Sequence, residues 1–361
     1  MADPLPVSLI TGFLGAGKTT LLNRLLNQGE LKDTAVIINE FGDVGIDHLL
    51  VETADEGIVE LSDGCLCCTI RGDLVDTLTR LINLESLPAR IVIESTGLAD
   101  PAPILQSIMG HPLLSELLRL DGVVTLVDAI NGMSTLDSHD EAVKQVAVAD
   151  RLVLTKTGSE GVPRALAERL KLLNPTAKCF DENRDSPGFA ELFNCGLYDP
   201  QTKTADVARW LNDEALNHHH HHHHDVNRHD ARIRAFTLRT AKPIPASTLT
   251  NFIDLLRSAH GPNLLRVKGI IKVAEQPDHP VVIHGVQQVF HPPATLPGWP
   301  SDDGETNATD RDTRLVMITR DLSEAFVRKL FDAFVGTTAV DTADKQALEN
   351  NPLAIPGHQG S

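Results

Sequence analysis

The chain has 361 residues, 42% of them hydrophobic and 22% charged, with a net charge of −17 at pH 7. That composition is globular and long enough for two cores, and no apolar run approaches the ~18 residues a membrane helix needs. The acidic balance argues against partners such as nucleic acid or anionic lipid, which select a basic face, and suits cations as ligands.

In chain order, the N-terminus MADPLPVSLITGF lacks a basic segment and enters a strand at once, so a cytoplasmic protein without a secretory leader is expected. PVSLIT at 6–11 reads as a strand, followed by glycines and the helical stretch TTLLNRLLNQ. TAVIINE at 34–40, RIVIESTG at 90–97, GVVTLVDA at 122–129 and DRLVLTK at 150–156 read as four further strands, and TAKCFD at 176–181 as a sixth. DLVDTLTRLINL and SEGVPRALAERLKLL supply helical patterns between and after them. Continuous apolar strands alternating with amphipathic helices predict an α/β domain, a doubly wound and mostly parallel sheet covered on both faces. The domain is expected to span 1–200. Residues 201–231 read as a polar linker containing NHHHHHHHDVNRHD. ARIRAFTLRT, LLRVKGIIKVA, PVVIHGVQQVF and RLVMITRDL then read as strands, and ASTLTNFIDLLRSA and SEAFVRKLFDAF as helices. These make a smaller α+β domain at 232–335, with DDGETNATDRD at 302–312 as a loop inside it and 336–361 as a loose tail.

The first strand and helix enclose GFLGAGKTT, Gly12 to Thr20, which matches G-x-x-x-x-G-K-[ST]. Gly12, Gly15, Ala16 and Gly17 let the backbone wrap a phosphate with amide N–H groups pointing inward. Lys18 reaches the β- and γ-phosphates, the Thr19 hydroxyl coordinates Mg²⁺, and the helix adds its positive end. A strand before and a helix after are the context that separates a P-loop from a chance glycine-rich turn. Glu94 ends a buried strand and is placed to act on Mg²⁺ or its water, and Gly97 can donate its N–H to the γ-phosphate. At 155–158 the chain reads TKTG. Thr155 and Lys156 fit the base-reading element [NT]-K-x-D, but Gly158 stands where the aspartate would pair with guanine. Glu160 is a candidate substitute.

These segments, in this order, resemble the P-loop GTPases of the CobW family: GFLGAGKTT, INEFGDVGID, GCLCC, ESTGLADP and the TK of the fifth strand. The resemblance runs from about residue 5 to 335, and its second part is similar to the CobW C-terminal domain. It implies GTP and GDP as ligands, Mg²⁺-dependent hydrolysis with Lys18, Thr19 and Glu94 as catalytic residues, and Zn²⁺ or Co²⁺ delivered to a metal-requiring client. Many members carry a histidine-rich stretch between the domains, and this chain has His218 to His224 with His229 close by.

Cys65, Cys67 and Cys68, three of the five cysteines, stand in GCLCC. No thioredoxin-like unit surrounds them, a Cys65–Cys67 disulfide would be strained, and a closed structural zinc site wants four ligands. Soft thiolates select Zn²⁺, Cu⁺ or Co²⁺. On the family resemblance the three are expected to bind metal, with Glu40 as the oxygen ligand and Asp43 as a further carboxylate. A packed cluster of small side chains is the alternative. Cys179 and Cys195 read as core or loop residues, and His48, His111, His284 and His291 as structural. The leading reading is a cytosolic GTPase metallochaperone handling zinc. A cobalt insertase, a P-loop ATPase or kinase, and a zinc buffer with a vestigial nucleotide site are the alternatives.

Overall fold

The computed structural model describes residues 4–29, 31, 33–38, 58–60, 69–84, 86–159, 161–193, 232–299 and 311–336. The linker at 201–231, residues 302–310 of the expected loop and nearly all of the 336–361 tail lie outside them.

Seven strands form the first sheet: β1 (Leu5–Gly12), β2 (Thr34–Ile38), β3 (Ile58–Glu60), β4 (Arg90–Glu94), β5 (Leu118–Asp128), β6 (Arg151–Thr155) and β7 (Lys178–Asp181). Their order is β3-β2-β4-β1-β5-β6-β7 and every pairing is parallel. The six expected strands are all present. β3 is the addition: three residues are too short a pattern to be read from the sequence, so TAKCFD forms the seventh strand rather than the sixth.

Helices cover both faces. α1 (Lys18–Asn27) buries Leu21, Leu22 and Leu25 against Ile10, Val36, Val92 and Val124. On the opposite face, α2 (Thr69–Ile82), α3 (Pro101–Gly110) and α4 (Leu114–Leu117) bury Leu78, Leu105 and Leu114 against Val7, Leu9, Ile37 and Ile93. Adjacent strand residues thus point into different cores, which is why β1 reads as an unbroken apolar run. α5 (Gly132–Ser138), α6 (Asp140–Val148) and α7 (Arg164–Leu173) pack around β6, and the short α8 (Glu182–Asp185) and α9 (Phe189–Leu192) follow β7. α3 was not expected from its pattern, because it is apolar almost all round. Its signal is Asp100-Pro101: the Asp100 carboxylate accepts from Ala102 N at 3.0 Å, with proline at the first helical position.

From β1 the chain winds to β2 on one side, and after β4 it crosses to β5 on the other. Winding therefore reverses at β1. Ligands of open α/β sheets bind beyond the carboxyl ends of the strands at that reversal.

The second sheet is antiparallel. It runs β11 (Val289–Phe290), β10 (Val281–Val286), β9 (Leu264–Ile271), β13 (Thr313–Arg320), β8 (Ile233–Thr240), with β12 (Ala294–Thr295) also on β10. PVVIHGVQQVF, read as one strand, is two. Gln287 turns the chain at φ +54°, and Val286 pairs back onto Val289. The apolar pattern continues across this two-residue turn, so the sequence hides it. α10 (Ala246–His260) and α11 (Glu324–Val335) cover one face, where Phe252 and Phe331 meet edge to face at 5.4 Å.

The other face lies against the first domain. Ala147 of α6 is buried with Leu265 and Ile318, Gln106 Nε2 donates to Gln287 Oε1 at 2.7 Å, and Asp140 pairs with Arg320. At the centre Asp150, the residue before β6, takes both Arg266 and Lys268 of β9 as ion-pair partners. Burial opposes ionisation of Asp150, but the two cations outweigh it and hold the carboxyl far below its usual range. Among the described residues no helix is long and apolar enough to cross a membrane.

Candidate nucleotide site

The loop between β1 and α1 is held in one shape by its neighbours. Gly12 sits at φ +140°, where a Cβ would meet the Leu126 carbonyl oxygen at 2.5 Å, so no other residue fits between β1 and β5. Gly15 and Gly17 complete the turn, and buried Ala16 anchors it. The N-cap position of α1 is Gly17, which has no side chain to cap the helix, an arrangement suited to an anion at the first turn. Lys18 is buried and folds back over the loop, its Nζ donating to the carbonyls of Gly12 at 3.0 Å and Phe13 at 3.4 Å. Thr20 is exposed on the helix.

Thr19 and Glu94 meet at this point although 75 residues separate them. Thr19 Oγ1 donates to Glu94 Oε1 at 2.8 Å. β1 and β4 are hydrogen-bonded neighbours in register Ile10↔Glu94, which delivers the carboxylate to the loop. The pair offers hard oxygen donors of the kind Mg²⁺ takes.

Gly97 follows and packs directly on the loop. A Cβ there would meet Leu14 N at 2.6 Å. Its carbonyl accepts from Gln145 Nε2 at 3.1 Å, as does that of Ala99. Gln145, buried on α6, thus fixes the segment after Glu94, and nothing near it in sequence marks that role. Lys144 on the same helix holds Asp100 at 2.6 Å.

Thr155, at the end of β6, donates to the Ala16 carbonyl at 2.9 Å and so fastens the loop from beneath. Lys156, at φ +58°, reaches Asp128 at the end of β5 at 2.8 Å. Burial disfavours the Asp128 carboxylate, but hydrogen bonds from Lys156 and from Asn131 side chain and backbone prevail, and its pKa lies below the ordinary value. Asp128 escaped the sequence reading, and its signal is a strand-ending aspartate followed by a turn.

The nucleotide-site candidates described here, Gly12 to Thr20, Glu94, Gly97, Thr155 and Lys156, therefore gather at one end of the sheet. Cys65, Cys67, Cys68, Glu40, Asp43 and Glu160 lie outside the described residues, as do Cys195, His48 and the histidines from His218 to His229. Among the described residues no three His, Cys, Asp or Glu side chains assemble as a metal site. Cys179 is exposed on β7. His284 is buried on β10 in the domain junction, with the His291 ring 6.0 Å away.

Residues 6–181 match the model of the CobW/HypB/UreG nucleotide-binding domain, and residues 233–335 that of the cobalamin synthesis protein cobW C-terminal domain. The zinc chaperone YjiA of Escherichia coli K12 is 33% identical over 292 residues, spanning 80% of this chain and 88% of that protein. The zinc chaperone CobW of a Sinorhizobium species is 29% identical over 368 residues, spanning 92% and 97%. A crystal structure of the Zn(II)-bound YjiA GTPase from E. coli superposes over 92% of this chain and 99% of its own, with a TM-score of 0.65 and 28% identity. The two sheets, the phosphate loop and these matches along most of the chain have one reading: the chain belongs to the CobW family.

Proposed function

We propose that this chain is a cytoplasmic, GTP-hydrolysing metallochaperone that takes zinc as cargo at Cys65, Cys67 and Cys68, with Glu40 as oxygen ligand, and passes it to a metal-requiring client. The observation that carries the nucleotide half is the closure of the loop by three contacts from two elements, β6 and β4 with the turn after it: Thr155 on Ala16, Glu94 on Thr19, and Gly97 against Leu14. The ends of β1, β4 and β6 thus meet around the backbone amides of the loop. Gly12, Gly15, Ala16, Gly17 and Thr20 line the phosphates in this reading, with Lys18 supplying positive charge to their oxygens. Mg²⁺ held through Thr19 and Glu94 would neutralise charge on the transferring phosphoryl group.

The metal half is supported by the chemistry of the donor set and by relatives named as zinc chaperones, one of them solved with Zn(II) bound. Thiolates with imidazole suit zinc, and the same set accepts Co²⁺. The run His218 to His224 is read as a weaker imidazole site that gathers metal for the thiols.

A Co²⁺ titration followed by thiolate-to-metal charge-transfer absorption tests the assignment, with GTP, with GDP and without nucleotide. The absorption is expected in wild type, lost in the Cys67→Ala, Cys68→Ala double variant, and shifted in affinity roughly 5–150-fold between nucleotide states. Absorption that survives the double variant undiminished would remove the thiols from the metal site.

A further inference from the structure

The base-reading element lacks its acid. Gly158, at φ +58°, borders open space: a Cβ there would meet no atom within 4 Å among the described residues. This space belongs to a cavity of about 570 Å³ at the carboxyl ends of β6 and β7, where Gly158, Ser159, Asp181 and Asn183 form a polar side and Leu154 and Val162 an apolar one. Thr155, the next residue of β6 after Leu154, holds the phosphate loop, so the cavity and the loop lie at the same end of the sheet.

Asp181 ends β7, next to β6 in register Leu154↔Asp181. It is 8% exposed. One carboxylate oxygen, Oδ1, is fully engaged: it accepts from Thr157 Oγ1 at 2.7 Å, Asn183 N at 3.0 Å and Arg184 N at 3.3 Å. Asn183 Nδ2 also donates to Thr157 Oγ1 at 3.0 Å, which locks the arrangement to the TKTG segment. Oδ2 accepts no hydrogen bond among the described residues and stands 4.0 Å from the Cβ position of Gly161, another residue of the cavity wall. The engagement of Oδ1 fixes the orientation of Oδ2, which is left to take a donor from whatever fills the cavity.

We propose that Asp181 is the specificity residue of the nucleotide site, reading guanine from the end of β7 in place of the aspartate absent at Gly158. The assignment rests on the nucleotide reading above. Guanine presents two donors side by side, N1–H and the N2 amino group, to which a carboxylate oxygen is complementary. Adenine presents a bare N1 lone pair at that edge, and xanthine a C2 carbonyl, and both repel a carboxylate. An asparagine in the same place can turn an amide N–H toward the xanthine carbonyl. It also keeps an oxygen for Thr157 and for the start of α8, since asparagine caps helices as well as aspartate does.

The test is equilibrium binding of fluorescently labelled GDP, XDP and ADP to full-length wild type and Asp181→Asn, with melting curves to confirm that the variant folds. Wild type should prefer GDP to both others. Asp181→Asn should weaken GDP by roughly 10–100-fold, the loss expected for hydrogen bonds to a charged group, and gain XDP by a similar factor, inverting the order. A loss of structure cannot produce that gain. A wild-type preference for GDP that Asp181→Asn retains, with no gain for XDP, would overturn the assignment alone. The same inversion appearing in Glu160→Gln and not in Asp181→Asn would transfer the reading to the loop and also overturn it. A wild type that binds none of the three nucleotides would overturn the nucleotide reading and this assignment with it.

Discussion

Lys18 spends its ammonium on two carbonyls of its own loop, with Nζ 3.0 Å from Gly12 O and 3.4 Å from Phe13 O. Those bonds aim the charge across the space that the loop amides surround. In the proposed function the ammonium is shared with the β- and γ-phosphate oxygens, and its worth is greatest where charge builds up during transfer. Lys18→Ala is therefore expected to slow GTP hydrolysis by on the order of 10²-fold or more. Single-turnover phosphate release checks it, and an unchanged rate would show that the loop does no phosphoryl chemistry. Thr155 is a different kind of residue. Its hydroxyl donates to a main-chain carbonyl of the loop, so it shapes the site without facing the phosphates.

Among the elements, β10 carries a titratable group into the domain junction. His284 faces Arg266 and Lys268 of β9, Asp150 just before β6, and His291. Burial first, and then the two neighbouring cations, push its pKa well below 6.5, and Asp150 only partly offsets them. The imidazole therefore stays neutral in the folded chain, while in the unfolded chain it takes a proton near its ordinary value. Stability from this group is complete above about pH 6.5 and falls as pH drops below it, by about 1.4 kcal/mol one unit lower. Urea midpoints at pH 7.5 and 5.5 should show His284→Gln losing about that much less than wild type. An identical pH loss in both proteins would mean that His284 protonates freely in the fold.

Most strands and the amphipathic helices were legible because each is a continuous apolar run or a clear helical stripe; α3, apolar almost all round, was not. β3, three residues long, and the Gln287 turn were not, because neither interrupts or extends a hydrophobic pattern enough to show. The site divides in the same way. Gly12 to Thr20 is a local motif, since a wrapped phosphate needs consecutive residues of fixed type. Gln145, Asp128 and Asp181 reach Gly97, Lys156 and Thr157 from 48, 28 and 24 residues away. Which of many polar residues arrives there depends on strand order and register, and a single sequence does not display these.

At the scale of the whole molecule, the two sheets are joined through charge as well as apolar contact. Asp150 is almost wholly buried, and Arg266 and Lys268 both pair with it. A buried ion pair contributes little beyond an apolar replacement, but removing one partner leaves uncompensated charge, which costs about 3–5 kcal/mol. Asp150→Ala should lower the urea unfolding free energy by that amount, since it removes the buried counter-ion that Arg266 and Lys268 share. Asp150→Asn should fall between, because the amide keeps an acceptor for them. Equal stability in all three proteins would show that water reaches the junction.

The position of Asp150 also bears on how such chains exchange parts. It immediately precedes β6, whose last residue, Thr155, holds the phosphate loop. The nucleotide domain therefore meets any companion sheet with a negative charge rooted in the strand that shapes its own site. A foreign sheet grafted after residue 231 would seat there only if it brought cations to the places of Arg266 and Lys268, and a companion built for a neutral junction would be rejected. Exchange of the C-terminal sheet is thus expected to be tolerated only with partners of complementary charge.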